Sequence, residues 1–308
     1  MACLSGRTDQ LKTIADGIKK KMTKIGIDVA TVLAIGAREV QQDSLIADFP
    51  VGSDVGFLAL ADGMGGHSSG EVASNIVVTE LFAELKFKLN DLAEYEHKVP
   101  SVLRHAAMVA NDGIRDFVAE HPDNYGMGAT LVAAIVVGNR FYWISIGDSP
   151  IYLWRDGKLR QLNEDHSLAP EIDLMIRNGV LSEEQGKNHP GRSALRSVLF
   201  GADIAKIDCP DEPFALLPND VVIVASDGLQ SLNDSEIEDL ITENDEGSSE
   251  VAHSLLSAIV ELDDPEQDNV SMSVLRITEA LVAQDAEGAP ILEIGDKESQ
   301  PPKAAAAS

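Results

Sequence analysis

The longest uninterrupted apolar run in this 308-residue chain, Leu131 to Val137, is followed after Gly138-Asn139 by a second β-rich run, Arg140 to Ile146. A third, Pro150 to Trp154, comes after Gly147-Asp148-Ser149. Short apolar runs punctuated by Gly, Asn and Asp read as antiparallel strands, so the middle of the chain is predicted to form an antiparallel meander. No run approaches the roughly 20 apolar residues that a membrane-spanning helix needs. The first 25 residues carry six Lys/Arg and no hydrophobic block, which disfavours a secretory leader as well.

On either side of the meander the pattern alternates between sheet and helix. Ala30 to Ile35 and Gly56 to Ala61 read as strands, and Gly70 to Asn90 and Pro100 to His121 as long amphipathic helices. Arg155 to Lys158 is a further turn. Ala169 to Gly201, interrupted by Pro170, Gly179, Pro190 and Gly191, breaks into short helical pieces and reads as an inserted flap. Strand Val221 to Ser226, helices Asp234 to Ile241 and Ser248 to Leu262, and strand Val270 to Thr278 follow. Two runs of strands, each followed by a helix pair, predict an α+β layered sandwich.

The termini read differently. Leu11, Ile14, Ile18, Met22 and Ile25 lie at helical spacing opposite Lys19, Lys20, Lys21 and Lys24, which predicts an amphipathic helix over residues 1–25. Beyond Leu281 the composition turns to Ala, Pro, Gln and Glu, and residues 281–308 read as a disordered tail. The domain is expected to span 26–280, with its flap at 169–201.

Fifty-one Asp/Glu against 24 Lys/Arg give a formal charge of −27, a field that repels phosphate backbones and excludes nucleic acid as a ligand. From Asp211 to Asp268 there are 17 acids and no Lys or Arg. Two cysteines, Cys3 and Cys209, are too few for a disulfide framework or a thiolate metal site, so a reducing cytoplasm is the expected compartment.

Five aspartates stand at the ends of apolar strands or between them: Asp43, Asp62, Asp148, Asp227 and Asp268. A single Asp-Gly marks any turn. Five such carboxylates brought together would repel one another and lose hydration unless cations neutralised them. Oxygen ligands select Mg²⁺ or Mn²⁺, and a pair of such ions activates water toward phosphorus, so phosphate-ester hydrolysis is the chemistry suggested. The glycine of Asp62-Gly63 leaves its carbonyl free to act as a further ligand. Arg38, five residues before Asp43, has a planar fork suited to two phosphate oxygens.

These residues resemble the metal-dependent protein Ser/Thr phosphatases of the type 2C or PPM family, in their bacterial form. The resemblance runs from about Ala34 to Ile277 and keeps the order of the family's motifs. These are Gly36-Ala-Arg-Glu-Val-Gln-Gln-Asp43, Ala61-Asp-Gly-Met-Gly-Gly-His67, Gly126-Met-Gly-Ala-Thr130, Gly147-Asp-Ser149, Asp165-His-Ser167, Ser226-Asp-Gly-Leu229 and Asp268-Asn-Val270. The fold so implied is a four-layer α-β-β-α sandwich of two antiparallel sheets flanked by helix pairs, with a small flap insertion.

By the same resemblance, Asp62, Asp227 and Asp268 would hold a first Mn²⁺ or Mg²⁺. Asp62, the Gly63 carbonyl and, through water, Asp43 would hold a second, and Asp148 with Asp227 a weaker third. Arg38 would bind the substrate phosphate. The leaving alkoxide needs a proton, for which His67 and a metal-bound water are the two candidates. Gln42 stands where many members have Glu, and Pro150 replaces a common Arg. His166 is expected to order the turn into the flap. The resemblance implies a monomeric cytoplasmic phosphatase acting on phosphorylated proteins, the substrates of a cognate bacterial Ser/Thr kinase being the natural set. Two alternatives are a pseudophosphatase that binds phosphoproteins without turnover and a phosphatase of the anti-sigma-antagonist type, which the presence of Arg38 disfavours.

Overall fold

The computed structural model describes residues 25–51, 53, 55–66, 69–244 and 246–279, together with the backbone of 283–284 and 290–291. The expected N-terminal helix lies outside the described residues except at Ile25, which opens a strand instead. Of the tail, only Ala283–Gln284 and Pro290–Ile291 are described, and they pair antiparallel.

The body Ile25–Glu279 begins with strands β1 (Ile25–Ala34), β2 (Asp43–Asp48) and β3 (Val55–Met64). Helices α1 (Ser69–Lys86), α2 (Leu89–Glu94) and α3 (Val99–Glu120) follow, then β4 (Gly128–Ala129), β5 (Leu131–Val137), β6 (Arg140–Ile146), β7 (Ile151–Arg155) and β8 (Lys158–Gln161). Residues 169–201 carry α4 (Ala169–Arg177) and α5 (Glu183–Lys187). The chain closes with β9 (Phe214–Ala215), β10 (Val221–Ala225), α6 (Asp234–Glu243), α7 (Ser248–Glu261) and β11 (Val270–Glu279).

Two antiparallel sheets result, ordered β1-β11-β10-β7-β8 and β2-β3-β5-β6-β9, with β4 paired to the end of β3. Their apolar runs are unbroken because each central strand is covered on both faces. Leu58 and Leu60 of β3 and Val132, Ala134 and Val136 of β5 point to the opposite sheet, where Val222, Val224 and Leu275 meet them. The alternate residues Phe57, Ala59 and Ala61 face α1 and α3, against Val77, Leu81, Leu103 and Ile114. On the far side Ile223, Val274 and Met272 pack under Ile237, Val251, Leu255 and Ile259 of α6 and α7. Three apolar layers between four layers of structure make the expected α-β-β-α sandwich.

Four local expectations are revised. The predicted meander is two hairpins: β5 and β6 belong to one sheet, whereas β7 pairs with β10 and β8 in the other. The Gly147-Asp148-Ser149 turn is therefore a crossover between sheets. The helix expected to Asn90 stops at Lys86 and restarts at Leu89. Strands β4, β8 and β9, two to four residues long, are too short to carry a pattern, and β2 was not read as a strand. Finally, β1 begins at Ile25 because it pairs along its whole length with β11, Ile25 opposite Glu279.

Candidate metal centre

The acids gather because strands of both sheets end at the same place. Asp43 is the first residue of β2, and its cross-strand partner on β3 is Asp62. Like charges facing across a ladder destabilise it, so this pairing marks a position kept for something other than stability. Asp227 opens a turn directly after β10, and Asp268 stands two residues before β11 enters its ladder with β1 at Val270. Asp148 sits on the crossover between β6 and β7.

Glycines allow the segments to close. A Cβ on Gly63 would lie 2.0 Å from the Gly70 carbonyl oxygen, and one on Gly228 2.1 Å from that of Asn269. The Gly63 amide donates to the Gln42 carbonyl at 3.0 Å. A cavity of about 280 Å³ is lined by Arg38, Asp62, Gly63, Asp148, Asp227 and Asp268. Asp43, 4% exposed, does not line it but is the cross-strand partner of Asp62, which does.

Burial pushes the Asp62 carboxyl well above the usual carboxylate range, and Asp43, Asp227, Asp148 and Asp268 add to the rise. Asp148 is pushed up to about 7 by burial and then by Asp227 and Asp165. Asp227 reaches about 6 through burial, Asp268 and Asp43, against the pull of Arg38. Asp43 is raised chiefly by burial, with the hydroxyls of Ser271 and Ser226 opposing. Its Oδ2 is buried without a hydrogen-bond partner. Arg38 is the cation at the rim, donating from Nη2 to Asp268 Oδ2 at 2.6 Å.

Among the described residues no three His, Cys, Asp or Glu side chains close on a single point as a finished ligand set, and Asp268 is engaged by Arg38 instead. The donors nevertheless fit hard divalent ions. They are all oxygen, they hold more negative charge than one guanidinium offsets, and one buried carboxylate oxygen has no other partner.

The residues expected at the site are thus brought together, apart from His67, which lies outside the described residues. Several that hold it in shape carried no role in the sequence reading. Asn269 donates from Nδ2 to the carbonyls of Ile35 (2.8 Å) and Val40 (3.2 Å) and accepts from the Gln42 amide (2.7 Å), pinning the Arg38 loop. Thr130 accepts the Asp62 amide at 3.0 Å and shares a 2.9 Å hydrogen bond with Ser149. Asn163 fastens the crossover, donating to Ser145 Oγ and the Ser149 carbonyl and accepting from the Ile151 amide. Only the polar residue next to a motif acid, in Asp268-Asn269 and Asp148-Ser149, offered a signal.

A two-sheet sandwich whose strand ends converge partly buried carboxylates and one arginine on a small basin is a metal-dependent phosphatase architecture. Residues 34–203 match the family described as Protein phosphatase 2C, over half of the sequence, and the chain belongs to that family. It is 36% identical over 183 residues to the Serine/threonine phosphatase stp of Listeria welshimeri, a match covering 59% of this chain and 70% of that one. To the Serine/threonine protein phosphatase PstP of Mycobacterium tuberculosis it is 37% identical over 172 residues, 56% of this chain but only 31% of that longer protein. The crystal structure of the catalytic domain of PstP in complex with two manganese ions superposes with a TM-score of 0.66 at 28% identity, covering 82% of this chain and 99% of that one. No helix among the described residues is long and apolar enough to cross a membrane.

Proposed function

We propose that this protein hydrolyses phosphoserine and phosphothreonine esters on proteins, opposing a bacterial Ser/Thr kinase in the cytoplasm. The observation that carries this reading is the convergence of Asp62, Asp148, Asp227, Asp268 and Arg38 on one basin, with Asp43 across the ladder from Asp62. Support comes from the relatives, which are named serine/threonine phosphatases.

Asp62, Asp227 and Asp268 would hold a first divalent ion, Asp62 with the Gly63 carbonyl and, through water, Asp43 a second, and Asp148 with Asp227 a third. Mn²⁺ or Mg²⁺ bound there supplies charge neutralisation, an acidified water and an anchor for phosphoryl oxygens. The chain's own contribution is to hold that place. The asparagine and threonine pins fix the carboxylates, and burial under the sheets lowers the local dielectric around them. Arg38, half exposed, has one Nη2 contact to Asp268 and further N–H groups free to grip phosphate oxygens.

The body Ile25–Glu279 supports reading 26–280 as the phosphatase domain; residues 169–201 are taken as its flap on their Pro and Gly punctuation. The test is phosphate release from a phosphothreonine peptide with Mn²⁺, with Mg²⁺ and with excess EDTA. Release is expected with the first two only, and full activity in EDTA overturns the reading.

A further inference from the structure

The segment 169–201 is rooted at the crossover that carries Asp148 and at β4, which pairs with the end of β3 just past Asp62. Its outgoing root is His166-Ser167-Leu168, whose backbone pairs with the returning strand: the Arg196 amide donates to the His166 carbonyl (2.8 Å), Ser167 bridges Leu195, and the Leu168 amide donates to Ala194 (3.1 Å). At the returning end Leu199 pairs with Ala129 through two 2.9 Å hydrogen bonds, next to Thr130, which holds the Asp62 amide.

His166 links the outgoing root to the crossover. Its amide donates to the Gly147 carbonyl at 3.0 Å, and its ring Nδ1 accepts from the Gly147 amide at 3.3 Å. Gly147 is grasped at both polar groups of its backbone, immediately before Asp148. It has no side chain of its own to anchor, and none is possible: φ is +115° and a Cβ would lie 2.7 Å from the Thr130 side chain. Because the Gly147 amide is a donor, Nδ1 must be bare and the ring proton must sit on Nε2. Nε2 is buried and makes no hydrogen bond; its nearest acid, Glu164, is 3.9 Å away. Burial favours the neutral ring that this arrangement requires.

We propose that His166 is a positioning residue whose Nδ1 fixes the Gly147 peptide, and through it the Asp148 carboxylate, relative to the flap. The proposal rests on the phosphatase reading for its consequence in turnover. The clamp itself can be read in the metal-free chain.

The two ring nitrogens can be tested separately, since Asn places an acceptor near the position of Nδ1 and Gln near that of Nε2. The experiment compares His166→Asn, His166→Gln and His166→Leu by amide hydrogen exchange at Gly147 without metal, and by kcat on p-nitrophenyl phosphate with saturating Mn²⁺. Asn is expected to keep Gly147 protected and kcat within about threefold of wild type. Gln and Leu are expected to raise exchange at Gly147 by roughly tenfold or more and lower kcat by about tenfold. A merely structural role would affect Asn and Gln alike, because neither fills the space of the ring. Equal behaviour of Asn and Gln, rescue by Gln alone, or loss of Gly147 protection with kcat unchanged each overturns the proposal. Should the Leu variant fail to fold, the Asn–Gln comparison decides by itself. Should wild type itself lack activity while Gly147 follows the expected order, the phosphatase reading fails and the clamp stands.

Discussion

Asp43 and Asp62 oppose each other across β2 and β3, and Arg38 is the cation bonded to the group of acids they belong to. Each carboxylate therefore costs stability in the metal-free chain and gains its value with ions bound. Asp62→Asn and Asp227→Asn are expected to reduce phosphopeptide hydrolysis well below a tenth of wild type, a barrier increase above about 1.4 kcal/mol. The same variants should melt higher than wild type in EDTA. Retention of more than a tenth of the rate would remove that residue from the ligand set. Arg38→Ala should raise KM for a phosphopeptide while leaving Mn²⁺ affinity nearly unchanged, as an unchanged KM would return Arg38 to a plain ion pair with Asp268. The five acids were legible because each sits at the end of an apolar run. Their partners were not. Asn269, Thr130 and Ser149 act through hydrogen bonds between segments up to 234 residues apart, as with Asn269 and Ile35, and no local pattern encodes such a contact.

Elements whose pattern is set by what covers them were read well: β5, β6, α3 and β11 lie within a residue or so of their expected bounds. The crossover after β6 was misread because Gly-Asp-Ser-Pro satisfies a hairpin turn and a sheet-to-sheet bend equally. What distinguishes them is Asn163, buried beside the bend and bonded to Ser145, Ser149 and Ile151. Asn163→Leu should strand the Ile151 amide and cost about 1–3 kcal/mol, measured by urea unfolding; a loss under about 0.5 kcal/mol would mean that the bend holds itself. The break after Lys86 was invisible because Phe87-Lys88 contains neither Gly nor Pro. The segment 169–201 was read as a flap from its Pro and Gly punctuation. It borders a second cavity of about 1,380 Å³ that includes Asp148, Asp227 and Ser193, so it adjoins the centre without supplying its acids. Exchanging residues 169–192 should change kcat/KM on phosphoproteins far more than on p-nitrophenyl phosphate. Equal loss on both would make the segment a support of the core.

At the scale of the whole molecule, the raised acids couple folding to pH and to metal. Asp148 near 7 and Asp227 near 6 hold protons in the folded, metal-free state that the unfolded chain, with ordinary carboxylates, has already released. Between about pH 4 and 7 the native state thus binds more protons than the unfolded one, and its stability falls as pH rises through that window. A divalent ion reverses the sign, because it binds the ionised carboxylates and competes with those protons. The melting temperature in EDTA should therefore drop from pH 5.5 to pH 7.5, while the gain on adding Mn²⁺ should grow over the same interval. At a free Mn²⁺ concentration of 100 times Kd the gain is about 2.7 kcal/mol, and each kcal/mol is roughly 2–4 °C for a body of this size. A gain that is constant with pH, or larger at 5.5, would show that the ions stabilise the fold elsewhere than at these aspartates. The Asp148→Asn variant sharpens the comparison: with the most strongly raised of the two valued acids neutralised, the EDTA-state drop should shrink while a Mn²⁺ gain persists.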